Sequence, residues 1–167
     1  MPAALQPHTI DVLTNTPVTL RVLLEALPDD VITTADAGGW SPKDVVAHMI
    51  ATEASGLAER VTAIRDSDHP ELGYIDEQQQ LDDSGLRAQP LATLLDSFAN
   101  SRADSLDLIL ALADGVLDRG GHHQHVGDVT AAELLNHKAY HDALHIAQIA
   151  DMVAAGLHVN SGPMQAF

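Results

Sequence analysis

A chain of 167 residues with 24 acidic and 8 basic side chains carries a formal charge of −16 and contains no cysteine. None of the basic residues forms a run, so there is no surface for counterion-release binding to nucleic acid or to an anionic membrane. Without thiols, disulfides, thiolate metal sites and a cysteine nucleophile are excluded, and any transition-metal site must use imidazole and carboxylate. The length suits one domain, 1–167, with a sizeable core. No apolar run spans a bilayer and no signal-peptide pattern opens the chain, so the expected location is cytoplasmic, with no membrane partner.

Leu and Ala recur at helical spacing, and alternating β-branched runs are nearly absent. The first predicted helix covers Ile10 to Leu27, with Leu13, Leu20, Leu23, Leu24 and Leu27 as its apolar stripe. Pro17 either opens this helix or bends it near its start, and Pro28 stops it. Gly38-Gly39 marks a turn. The second helix starts with Ser41 as N-cap, Pro42 at the first position and Asp44 at the third, and runs to about Ile64. Val45, Met49, Leu57 and Ile64 form its buried face. Asp66 to Gln89 reads as a long acidic loop. The third helix spans Pro90 to Ala113; its stripe of Leu91, Leu94, Phe98, Leu106, Ile109 and Ala113 includes Arg102, expected to pack its stem and send its head to solvent, with a carboxylate partner in the core as the less favoured alternative. Gly115 to Val129 reads as a second loop, rich in Gly and His. The fourth helix opens on a capping box, Thr130 with Glu133, and closes before Gly156. Four amphipathic helices in a chain of this size predict an all-α four-helix bundle.

The chemistry concentrates in the last helix, at His141-Asp142-Ala143-Leu144-His145-Ile146-Ala147-Gln148. Two imidazoles four residues apart lie on one helical face, one turn apart, the spacing at which one helix supplies two ligands to one ion. His137, His141, His145 and Gln148 fall in one sector, which Leu134, Leu144, Ile149 and Met152 share or border, and that makes it the core face. Stacked histidines there require a polar network or a cation, because an unpartnered buried polar group costs several kcal/mol. His48, near the start of the second helix, is a third candidate ligand. His137 is a candidate extra ligand, although a histidine at the end of the bundle is the plainer reading. His122, His123 and His125 read as a solvated loop lining the approach to the site.

The segment Gly39-Trp40-Ser41-Pro42-Lys43-Asp44-Val45-Val46-Ala47-His48-Met49 resembles the glycine-tryptophan-serine … alanine-histidine-leucine motif of the DinB-like (DinB/YfiT) superfamily of metal-dependent enzymes. Gly127-Asp128-Val129-Thr130 with Tyr140-His141-Asp142-Ala143-Leu144-His145-Ile146-Ala147-Gln148-Ile149 is similar to the last-helix motif of that family. Thr16-Pro17 and Phe98 with Arg102 fit the same pattern. The resemblance implies an up-down-down-up four-helix bundle, a homodimer, and one divalent metal held by His48, His141 and His145. Asp142 and Gln148 match residues common in the motif, which would orient the imidazoles. Members of the family include metal-dependent hydrolases and enzymes that transfer low-molecular-weight thiols such as bacillithiol or mycothiol. One position departs: Ala51 stands where many relatives carry an aspartate, and Glu53 is a weaker substitute, more simply paired with an arginine of a neighbouring helix.

Three imidazoles leave an open position on zinc or nickel, or on iron or manganese in second place. Such a site activates water for hydrolysis or takes a thiol sulfur as thiolate, and that thiol must come from a small-molecule cosubstrate. The alternative is a non-catalytic metal-binding stress or sensor protein, which the missing aspartate at Ala51 favours.

Overall fold

The computed structural model describes residues 2–166. Helix α1 spans Thr9–Leu24 and buries Leu13, Thr16, Leu20 and Leu24. It starts before the expected Ile10 and ends short of Leu27, so Pro17 lies inside it and does not open it. Proline has no N–H to give the carbonyl four residues back, here that of Leu13. That carbonyl instead accepts a hydrogen bond from Arg102 Nη1 at 2.8 Å. Helix α1 has already ended, with its C-cap at Glu25, before Pro28 is reached, and Pro28 serves as N-cap of the short α2, Asp29–Thr33.

Helix α3, Pro42–Glu53, begins on a reciprocal cap: Asp44 N–H donates to Ser41 Oγ at 3.2 Å, and Ser41 N–H donates to Asp44 Oδ2 at 2.9 Å. The expected single helix to Ile64 is interrupted. A π-helical turn, Ala54–Ala58, joins α3 to α4, Glu59–Asp66. Val45, Met49, Glu53, Leu57 and Val61 are all buried at intervals of four. That spacing exceeds the 3.6 residues of an α-turn, and the wider π-turn absorbs the drift.

The two long connections are not plain loops. The first holds β1, Glu71–Leu72, and α5, Glu77–Ser84, which buries Leu81 under the core. Helix α6 follows at Leu91–Leu110. The second connection holds β2, Gly120–His123, and β3, Gly127–Thr130. Strand β2 pairs in parallel with β1, and antiparallel with β3 through the register Gly120↔Thr130 and His123↔Gly127. The Gly120-Gly121 pair is strand, not loop. A Cβ on Gly121 would sit 2.5 Å from the Pro70 carbonyl oxygen, so only glycine lets β1 approach. Gly127, at φ 81°, makes the hairpin turn.

Helix α7, Ala131–Val159, begins on the expected Thr130–Glu133 box and runs through Gly156 to a cap at Asn160. Gly156 is exposed in a helix interior, a cost of about 1 kcal/mol that does not break it. Helix α1 packs on α6 and α7, and α3 packs on the same two. Leu20, Leu24, Val45, Met49, Leu94, Phe98 and Ile149 form the largest buried cluster between them. Leu144, expected at the margin of the core face, is instead 49% exposed. Among the described residues no helix is long and apolar enough to cross a membrane.

Candidate metal centre

His48 stands on α3 seven residues after the Ser41 cap, 1% exposed, with the Trp40 ring edge-on at 5.0 Å. His141 and His145 stand one turn apart on α7. The packing of α3 on α7 points all three Nε2 atoms at one another. His48 Nε2 is 3.2 Å from His141 Nε2, and His145 Nε2 is 3.1 Å from the same atom. The structure thus brings together the three residues singled out in the sequence.

This arrangement fits a cation. Three nitrogens facing one point cannot all be satisfied by sharing protons, because each contact needs one donor and one acceptor. Ligands at 2.0–2.1 Å around a tetrahedral ion lie ~3.3 Å apart, close to the observed spacing. The far side of His145 agrees: Nδ1 lies 2.9 Å from Gln148 Oε1. With that oxygen as acceptor, Nδ1 carries the proton and Nε2 presents its lone pair. Burial first, then the neighbouring His145 and His141 rings, push His48 down to about 3. Burial and the His141 ring also lower His145. Both rings are therefore neutral at pH 7, the form that binds metal.

Behind the trio lies a buried ionic cluster, of which only the pairing of Glu53 with an arginine of a neighbouring helix was the favoured expectation. Arg102 is 1% exposed, its head turned inward and not to solvent. Its Nε and Nη2 donate to the two Glu53 oxygens at 2.7 and 2.8 Å, and its Nη1 donates to Asp142 Oδ2 at 2.6 Å. Lys138 Nζ adds a contact to Glu53 Oε2 at 3.1 Å. Burial raises the Glu53 and Asp142 carboxyls, but their neighbours outweigh it: Arg102 and Lys138 bring Glu53 below its usual range, and the His141 ring first, then Arg102 and Lys138, hold Asp142 at about 2. Two cations and two carboxylates thus form a neutral set. Glu53 is paired with an arginine of a neighbouring helix, so it does not replace the aspartate missing at Ala51. Asp142 Oδ1 lies 4.0 Å from His141 Nδ1, too far for a hydrogen bond, and both atoms lack other partners. The charged pair on facing stripes, Glu53 and Arg102, was the available sequence signal.

Two carboxylate and cation positions near the trio carried no signal at all. Glu77, the first residue of α5, places Oε2 at 3.6 Å from His48 Nε2. Arg60 on α4 and Glu77 both line a cavity of about 230 Å³ that reaches His141. A wider cleft of about 690 Å³ opens on the other side, against Trp40, His48 and His145. His123, His125 and His137 line the smaller cavity, so two of the three hairpin histidines do border the site. His137 lies on its wall, apart from the converging trio. His122 faces away: Nδ1 is 2.9 Å from Asp128 Oδ1, and His69 Nε2 is 3.2 Å from the same oxygen.

Comparison with known proteins agrees with this architecture. No curated protein matches the chain in sequence. Among solved structures, the chain shares its fold with YfiT from Bacillus subtilis, described as a probable metal-dependent hydrolase with an unusual four-helix bundle topology. The TM-score is 0.80 at 21% identity, over 88% of this chain and 85% of that one. The family model described as DinB superfamily matches residues 13–149, a span that contains the Trp40–His48 motif and the whole His141–Gln148 motif. By that match the chain belongs to the DinB superfamily.

Proposed function

We propose that His48, His141 and His145 hold one divalent transition metal through their Nε2 atoms, and that the protein is a metal-dependent enzyme acting on a small molecule. Zinc or nickel suits three imidazoles first, with iron or manganese next. The observation that carries the reading is the 3.1–3.2 Å convergence of three ring nitrogens between two cavities that a substrate can enter. A divalent ion with open positions supplies a Lewis acid that acidifies water or a thiol near neutral pH. The residues around it do the rest. Gln148 fixes the tautomer of His145, Asp142 stands 4.0 Å from the far nitrogen of His141, and the Arg102 cluster keeps Asp142 ionised and in place. Glu77 Oε2 is the carboxylate positioned to accept a proton from the attacking group.

Hydrolysis is favoured by the description of YfiT. Thiol transfer uses the same ligands and requires a low-molecular-weight thiol as cosubstrate, since the chain has no cysteine. The same reading takes the chain as one domain and a homodimer in the cytoplasm, with its long helices in up-down-down-up order. That order is supported by three pairings: Thr9 with Asn136 near the starts of α1 and α7, His48 with His145 across antiparallel α3 and α7, and Glu53 with Arg102 between co-directed α3 and α6. Elemental analysis of protein purified without a histidine tag tests the core of the proposal. One equivalent of metal is expected, and alanine at His48, His141 or His145 should remove it. Wild-type protein without stoichiometric metal refutes it. The second reading, a metal-binding stress or sensor protein without turnover, is favoured by Ala51. Bound metal with no turnover against ester, amide and thiol-plus-electrophile panels selects it.

A further inference from the structure

The cavity beside His141 is unusual in this chain for its charge. With 24 carboxylates for 8 basic residues, a guanidinium normally finds an acidic neighbour. Arg21, Arg65, Arg87 and Arg102 all do, while Arg119 gives its two terminal nitrogens to the carbonyls of Arg65 and Ser67. Arg60 does not: among the described residues its one hydrogen bond goes from Nη2 to the Gly73 carbonyl at 2.8 Å, and Glu77 across the cavity acts on it only at a distance. Arg60 lines the cavity, and that one bond leaves most of its five N–H donors without a protein partner. The same wall carries His123, His125 and His137, and it carries Lys138, whose charge is taken up by Glu53. Burial disfavours the Arg60 charge, so the fold bears a cost there that an anion would offset. The π-turn supports the arrangement: it leads into α4, of which Arg60 is the second residue, and its Gly56 borders the same space. At about 230 Å³ the cavity holds on the order of seven water volumes, the size of a small organic acid.

We infer that this cavity seats an anionic group of the substrate, a carboxylate or a phosphate, on the free edge of Arg60 with imidazole N–H donors from the hairpin and α7, so that the rest of the molecule extends to the histidine trio. The inference rests on the trio being the reacting centre, as proposed above. The planar fork of a guanidinium suits either oxyanion, whereas a lysine would supply only a point charge. Tyr74 and Leu134 give the remainder of the cavity an apolar lining for a short carbon chain.

Metal-free protein, prepared by chelation, isolates the cavity from direct binding to an ion. Titration with inorganic phosphate and separately with malonate, followed by calorimetry or by NMR shifts, reads binding at Arg60. Arg60→Gln should weaken the tighter of the two at least about tenfold, and Arg60→Lys should retain part of it. The probe that binds tighter identifies the acid. Absence of binding of either anion to the wild type, or equal binding by Arg60→Gln with a native circular dichroism spectrum, overturns the inference. Metal content of the untreated proteins is measured in parallel. Failure of the trio shows there, and failure of the anion seat shows only in the titrations.

Discussion

Replacing Arg102 by methionine tests the central packing argument. Methionine matches the length of the stem and fills most of the space beside the Phe98 ring, which lies 4.9 Å from the guanidinium. What disappears is four hydrogen bonds, two to Glu53, one to Asp142 and one to the Leu13 carbonyl. Two buried carboxylates are left with Lys138 as their one cation. Breaking a buried ion pair from one side costs about 3–5 kcal/mol. The Leu13 carbonyl adds to that, because Pro17 cannot supply the N–H that would otherwise satisfy it. Taking ~4 kcal/mol in total, at 2–4 °C per kcal/mol for a chain of this size, the midpoint should fall by about 8–16 °C. The assay is thermal and urea unfolding of metal-free protein, with the urea slope unchanged. The Leu13 term has its own signature. Pro17→Ala restores a donor to that carbonyl, so it should recover about 1 kcal/mol in the Arg102→Met background while giving no such gain in the wild type. A loss below about 1 kcal/mol in Arg102→Met, or strict additivity with Pro17→Ala, would refute the reasoning.

Two further outcomes follow from the same coordinates. In metal-free protein His48 stays neutral until about pH 3, whereas in the unfolded chain it takes a proton near its usual 6.5. The unfolded state thus binds the extra proton, so stability is complete above pH 6.5 and falls by about 1.4 kcal/mol per pH unit on the way down toward 3. Urea midpoints at pH 7, 6 and 5 measure this, and His48→Gln should flatten the slope by up to one proton; an unchanged slope contradicts the burial of a neutral ring. Gly121→Ala forces a methyl into contact with the Pro70 carbonyl and Leu72, which should cost about 1–3 kcal/mol in the urea midpoint. Hydrogen exchange should report the same opening at the His122 amide, which bonds the Pro70 carbonyl at 2.9 Å. Protection equal to wild type would show that the strands tolerate the methyl.

Much of the helical frame was legible because helix formation is local. The Ser41 and Thr130 caps are reciprocal bonds within four residues, and the leucine stripes repeat on one period. The i,i+4 pair His141 and His145 needed no knowledge of the fold. The three strands escaped because they are two to four residues long, too short to alternate, and β1 depends on a partner segment about fifty residues away. The π-turn escaped because a run of fours looks like an ordinary helix. Arg102 was misjudged because a long amphipathic side chain on an apolar stripe usually reaches water, and only the placement of Glu53 and Asp142 around it reverses that balance.

Spacing along the chain therefore settled which faces turn inward and which imidazoles share a helix, since both follow from 1.5 Å of rise and 100° of turn per residue. How His48 comes within 3.2 Å of His141, what neutralises Arg102, and why Glu77 and Arg60 stand beside the same centre were decided by how α3, α4, α5 and α7 pack. Those distances join residues tens of positions apart, and no local rule of the backbone relates them.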